Sequence, residues 1–116
     1  MKNIRYVGCR NVDGDLFEVV VERQGQRPYH LDARLDLVNH SPTGIAWGYG
    51  GSGPAQLALA ILADYLDDDR YALRIYQHFK WSLIANLPMD HGFEISARQI
   101  ESAITEANLA IMQEAR

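Results

Sequence analysis

The sequence predicts an α+β fold: a small N-terminal antiparallel β-sheet packed on an αα-hairpin, plus a C-terminal helix. Three observations support this prediction. The first third of the chain has short runs of β-branched residues separated by turn residues. The middle has a long apolar run after a glycine-rich stretch, and the last third has apolar residues at helical spacing. Because 116 residues is the length of one domain, we expect residues 1–116 to form a single domain.

The N-terminal third predicts three strands. Residues 3–10 alternate between polar and apolar, and residues 16–22 are rich in valine. Between them, residues 11–15 contain an Asp-Gly pair, which is typical of a hairpin turn. Residues 29–32 predict a short third strand that begins after a proline. Residues 45–47 predict a further short edge strand ahead of the glycines.

The remainder of the chain predicts three helices. Residues 54–66 have almost no polar face, which indicates a buried central helix. The acidic run 67–69 ends it and offers an N-cap to an amphipathic helix over residues 69–86. The last helix begins at Ser96, where Gln99 three residues later completes a capping-box pattern. The first two helices form the αα-hairpin.

Charge and cysteine content exclude several classes of protein. The net charge is −4, and residues 54–116 hold five basic and nine acidic side chains. This charge balance argues against nucleic-acid binding, because nucleic-acid binding needs a basic face. The single cysteine, Cys9, allows no internal disulfide, and we expect it to pack in the first strand as a small apolar residue. We expect no membrane segment and a cytoplasmic location.

The glycine-rich loop 48–53 suggests an anion site, because backbone N–H groups at a helix N-terminus attract anions. The predicted ligand-binding residues are Gly50, Gly51, Ser52 and Gly53. The loop matches the letters of the G-x-G-x-x-G pattern but lacks its βαβ context, and no lysine follows the last glycine as a P-loop requires. The favoured interpretation is therefore structural: the glycines allow a tight turn and close packing, and Ser52 caps the helix.

We predict no catalytic residue, no metal site and no cofactor. Ser52 misses the final glycine of the esterase pattern G-x-S-x-G. Three histidines are candidate bases for it, His40, His78 and His91, but their spacing favours none. The acidic run and the histidines also lack the spacing of known metal-ligand patterns.

Two stretches predict an interaction surface. Arg74, Lys80 and Trp81 suggest an aromatic and basic rim on the second helix, and such residues dominate binding hot spots. Ile104 and Ile111 belong to an apolar stripe on the last helix. That stripe either covers the domain's own sheet or forms a homodimer, and the sequence leaves both alternatives open.

Residues 47–62, WGYGGSGPAQLALAIL, and the YQxFKW motif at residues 76–81 resemble a family of uncharacterised prokaryotic, archaeal and phage proteins. Asn-Leu-Pro at residues 86–88 adds to the match, which spans roughly residues 34–96. The resemblance implies a fold unit built on the glycine loop and its helix pair, in a phage or mobile-element context. It implies no activity, and residues 96–116 form a longer, more polar ending than that family has.

Together these observations predict a small non-enzymatic protein-binding domain of phage or plasmid origin, with an unidentified protein partner. The alternative is an anion- or nucleotide-binding domain, with or without enzymatic activity, that uses the glycine loop 48–53. Binding of single-stranded nucleic acid through Arg74, Lys80 and Trp81 is the weakest candidate, because the net charge is negative.

Overall fold

Four strands and three α-helices form the part of the chain that the computed structural model describes, residues 3–10, 17–40 and 44–115. The α+β prediction is confirmed. The strands are β1 (Ile4–Arg10), β2 (Phe17–Arg23), β3 (Tyr29–His30) and β4 (Phe93–Ser96). The helices are α1 (Ser52–Leu66), α2 (Asp69–Ser82), a 3₁₀ turn (Ile84–Asn86) and α3 (Ala97–Glu114). The predicted Asp-Gly turn at residues 11–15 lies outside the described residues.

The sheet is antiparallel throughout, in the order β3-β2-β1-β4. Tyr6 in β1 stands between Val21 in β2 and Ile95 in β4, and all three side chains are buried on the same face. The sequence prediction did not assign residues 93–96 to this sheet. The structure corrects this, because β4 pairs along β1 as an edge strand of the sheet.

Helix α1 is the buried centre of the fold, as predicted, and twelve of its fifteen residues are buried. The prediction that Ser52 caps it is wrong. The N-cap is Gly51, no side chain caps the helix, and Ser52 is its first residue. Pro54 therefore lies in the first turn of α1. A proline is tolerated there because the N–H groups of the first turn have no intrahelical partner.

The predicted αα-hairpin is confirmed. Asp67 ends α1 in the left-handed conformation (φ 52°), and the side chain of Asp68 accepts a hydrogen bond of 3.1 Å from the Tyr71 N–H at the start of α2. Helix α2 ends at Ser82, four residues earlier than predicted. The side chain of Asn86 folds back to donate to two carbonyls of the last α2 turn, and the chain tightens into the 3₁₀ turn there.

The capping box at the start of α3 is confirmed, because Ser96 and Gln99 hydrogen-bond each other's backbone N–H groups. Helix α3 packs chiefly against α2, to which Asn108 binds by a hydrogen bond of 2.8 Å to the Tyr71 hydroxyl. The apolar stripe of α3 therefore covers the helical hairpin more than the sheet.

Residues 45–47 do not form the predicted edge strand. The contacts of the Trp47 side chain hold this segment instead. Trp47 is fully buried, and its indole N–H donates to the His91 carbonyl at 3.0 Å. Phe17 and Phe93 pack against it edge to face, each with a ring-centroid distance of 4.7 Å. This aromatic cluster anchors the segment before the glycine loop to the sheet.

Two further expectations are corrected. Strand β3 ends at His30, two residues earlier than predicted. Cys9 is exposed. Successive side chains of a strand point to opposite faces, so Cys9, three residues after the buried Tyr6, lies on the outer face of the sheet. Within the described ranges, no helix is long and apolar enough to cross a membrane.

Candidate interaction surface

The glycine loop 48–53 is shaped by two close backbone contacts. Gly48 has a φ of +90°, and a Cβ there would lie 2.5 Å from the Met89 Cα. Its N–H donates to the Ile84 carbonyl at 3.1 Å. A Cβ on Gly50 would overlap the edge of the Trp81 ring. Position 48 therefore needs glycine because the Met89 backbone contacts it, whereas at position 50 the neighbour is the Trp81 side chain.

The other glycines of the loop also pack tightly. Gly51 lies against the ring of Tyr49, which folds back over its own loop. Gly53 is buried, and a Cβ there would lie 2.7 Å from the Ala46 Cβ. These contacts support the structural interpretation of the glycines that the sequence favoured.

Three large apolar side chains surround this loop and remain exposed. Tyr49 is 45 % exposed, Trp81 60 % and Met89 53 %. All three contact the same loop, so we define the Trp81 surface as Tyr49, Trp81, Met89 and the Gly50 backbone between them. Aromatic residues and methionine are enriched in protein interfaces, and a tryptophan is a frequent binding hot spot.

Lys80 is not on the exposed rim that the sequence predicted. It is only 7 % exposed, and its ammonium lies 3.4 Å from the Gly50 carbonyl oxygen and 4.4 Å from the Trp81 ring centroid. The ammonium thus joins the glycine loop to the Trp81 ring by a long hydrogen bond and a cation–π contact. Arg74 is exposed, but its guanidinium stacks 5.3 Å from the Tyr71 ring centroid, about 10 Å along α2 from Trp81.

The two α3 isoleucines that were predicted to form an interaction surface are buried or half-buried. Ile104 is 7 % exposed within the core, and Ile111 is half-buried against that core. The exposed large apolar residues of α3 are instead Leu109 and Met112, which are 52 % and 63 % exposed. The predicted stripe is therefore used within the chain, and it does not join the Trp81 surface.

Ser52 is exposed, and within residues 3–10, 17–40 and 44–115 no histidine hydrogen-bonds it. The candidate bases have other partners. His40 Nε2 lies 2.6 Å from the Tyr76 hydroxyl, and His78 Nε2 lies 2.9 Å from a Glu114 carboxylate oxygen. His91 contacts its two sequence neighbours.

The sequence did not reveal a polar network between α1 and the sheet. One carboxylate oxygen of Asp64 accepts from the Tyr6 hydroxyl at 2.5 Å and from Arg23 at 3.0 Å, and the other accepts from the Tyr29 hydroxyl at 2.7 Å. Burial, followed by the adjacent Asp64 carboxylate, raises the pKa of Tyr6 far above its usual value. The signal in the sequence was a lone acidic residue inside an apolar helix. Every oxygen of this carboxylate has a partner, so the network fixes α1 on the sheet.

A second buried polar residue, Gln56, holds the long connection before the glycine loop. It is fully buried on α1, donates to the Ala33 carbonyl at 2.6 Å and accepts from the His40 N–H at 2.9 Å. Both hydrogen bonds go to backbone groups that have no strand partner. Gln56 therefore fixes this connection against the central helix.

Comparison with known proteins identifies a family but no function. Residues 6–106 match the family described as a family of unknown function, DUF6166, and the chain belongs to that family. This confirms the prediction that the chain belongs to an uncharacterised family. No curated protein and no solved structure matches the chain.

Proposed function

We propose that this protein is a small non-enzymatic protein-binding domain and that the Trp81 surface contacts its partner. The observation that carries the proposal is the grouping of three exposed large apolar side chains around one tightly packed loop. The proposal treats residues 1–116 as one domain. It retains the sequence-based predictions of a phage or mobile-element origin and a cytoplasmic location.

The contacts that Trp81 and Tyr49 make within the chain support the proposal. The Trp81 ring lies against the Gly50 backbone and 4.4 Å from the Lys80 ammonium, and these contacts favour one ring position before a partner binds. The Tyr49 ring contacts Gly51 in a similar way. Tyrosine and tryptophan side chains have few rotatable bonds, so exposed ones give a large contact area at low entropic cost.

The experiment combines capture with a direct affinity measurement. The tagged chain is used to capture partners from cells of its source, and each captured protein is then titrated against the wild type, Trp81→Ala and Leu109→Ala. We expect Trp81→Ala to weaken binding by at least about tenfold, since hot-spot truncations cost about 2 kcal/mol or more. Leu109→Ala removes an exposed leucine from α3 and serves as the matched control.

Native mass spectrometry tests whether the partner is a second copy of the chain. A homodimer that Trp81→Ala dissociates would agree with the proposal, with self-association as the interaction. A captured partner that binds Trp81→Ala and the wild type equally would contradict it. So would the absence of both a partner and self-association.

We infer one second candidate, anion or nucleotide binding at residues 50–53. It is favoured by the N-terminus of α1, which no side chain caps, and by the nearby Lys80 ammonium. A thermal-shift screen with phosphate, sulfate and nucleotides tests it. Stabilisation that is lost in both Gly51→Val and Lys80→Met, with both variants folded, would favour this function. No stabilisation would leave the glycines with a packing role only.

A further inference from the structure

Hydrogen-bond donors without acceptors collect where the glycine loop becomes α1. The backbone N–H groups of residues 50–53 donate to no other group within the described residues. Pro54 follows them without an N–H, and the next amide, that of Ala55, donates to the Gly51 carbonyl. Gly53 is buried. Since buried backbone N–H groups are nearly always paired in folded proteins, this end of α1 lacks an acceptor.

The Lys80 ammonium is a second, independent sign of a missing acceptor. Lys80 is 7 % exposed, and its one hydrogen bond is long, 3.4 Å to the Gly50 carbonyl oxygen. An ammonium has three N–H donors, so two have no acceptor in the part of the chain that the structure describes. None of the ion pairs among residues 3–10, 17–40 and 44–115 includes Lys80. Buried charges in proteins are normally paired, so this one lacks a counter-ion.

The Tyr49 hydroxyl adds one more donor at the same place. Its ring contacts Gly51, and a Cβ on Gly53 would lie 3.1 Å from its oxygen. This hydroxyl has no hydrogen-bond partner among the described residues. The first turn of α1 contains no acidic side chain, and a helix N-terminus carries about half a positive charge. Although the whole chain has a net charge of −4, the missing partner here is therefore an anion.

We propose that these donors bind the free C-terminal carboxylate of the protein partner, whose last side chain is apolar and lies on the Trp81 surface. This inference rests on the proposed function and names the part of the partner that is recognised. A carboxylate has two acceptor oxygens, which suit successive backbone N–H groups together with an ammonium. Inorganic phosphate would also accept these hydrogen bonds, but it has no apolar part to cover the exposed side chains of Tyr49, Trp81 and Met89.

The experiment titrates the isotope-labelled full chain with the peptide acetyl-Ser-Gly-Ala-Leu, which ends in a free carboxylate, and with its C-terminal amide. NMR follows the backbone amides of Ser52 and Gly53 and the indole N–H of Trp81. We expect saturable shifts of all three signals with the acid and an affinity at least about tenfold lower for the amide, because charge-assisted hydrogen bonds are roughly twice as strong as neutral ones. Acetyl-Ser-Gly-Ala-Gly should also bind more weakly, because glycine has no side chain to contact Trp81.

Two variants of α2 separate the Lys80 ammonium from general charge. Lys80→Met keeps an unbranched side chain and removes the charge, and we expect it to weaken binding of the acid peptide at least about fivefold. Arg70→Met removes one positive charge from an exposed position of the same helix, about 15 Å from Lys80, and should leave the affinity unchanged. A Trp47 indole signal in its wild-type position reports that each variant is folded.

Equal affinity for the acid and the amide, or no saturable shift with either, would overturn the inference. Full affinity in Lys80→Met would also overturn it. Inorganic phosphate that shifts the same amides with higher affinity than the acid peptide would assign the donors to a free anion instead. These results leave the proposed function standing, since a partner bound through an internal segment would still lose affinity in Trp81→Ala.

Discussion

Substitution of Gly48 by alanine tests why the glycine loop is built as it is. The backbone of Gly48 has a φ of +90°, and an added Cβ would lie 2.5 Å from the Met89 Cα. That neighbour is backbone, so it cannot rotate away. We therefore expect Gly48→Ala to be strongly destabilising, with both a conformational and a steric cost.

The magnitude follows from those two terms. A non-glycine residue held in a sparsely populated backbone conformation costs about 1–3 kcal/mol. Forcing a methyl group into a packed contact costs about 1–3 kcal/mol more. We expect a loss of about 2–6 kcal/mol in the free energy of unfolding, a large share of the stability of a domain of this size.

The assay is urea unfolding followed by circular dichroism, with Gly50→Ala as the matched control. At Gly50 the added Cβ meets only the edge of the exposed Trp81 ring, which can move. We expect Gly50→Ala to cost less than about 1 kcal/mol and to shift the indole N–H signal of Trp81 while leaving that of Trp47 in place. Equal midpoints for Gly48→Ala and the wild type would refute the reasoning.

Three further predictions concern stability. Gln56→Leu breaks two buried hydrogen bonds to backbone groups and should cost about 2–4 kcal/mol in urea unfolding, whereas Gln77→Leu on the exposed face of α2 should change little. Asp68→Ala removes the α2 cap and should cost about 1 kcal/mol, whereas Ser52→Ala removes no cap and should be nearly neutral. The pKa of Tyr6 is raised on folding, so its contribution to stability is complete below about pH 10 and is lost as the pH rises above it. Tyr6→Phe should therefore flatten the alkaline fall of the unfolding midpoint. Retention of the full alkaline fall in that variant would contradict the assignment.

Local signals in the sequence predicted most of the helical fold. The apolar run predicted the buried α1, and the Ser96 to Gln99 spacing predicted the start of α3. Strand β4 was not assigned to the sheet, because its four residues pair with β1, some ninety positions earlier in the chain. No local pattern reports a pairing of that separation, since the register is set by burial in the finished fold.

The candidate surface was predicted in two separate pieces. The sequence pointed to Gly50 and to Trp81 as parts of different sites, and only the packing of α2 against the loop brings them into contact. Lys80 was misplaced for a similar reason. The sequence predicted it on an exposed rim with Arg74 and Trp81, but the ammonium lies toward the Gly50 carbonyl and the residue is buried.

The most direct test of the account uses 5-fluorotryptophan incorporated only into this chain. Its two ¹⁹F signals come from a fully buried Trp47 and a 60 % exposed Trp81, so only the second should show a solvent isotope shift between H₂O and D₂O. On addition of the captured partner, or at concentrations where the chain self-associates, we expect that isotope shift to vanish at Trp81 and the Trp47 signal to stay in place. A bound partner that leaves the Trp81 isotope shift unchanged would contradict the account.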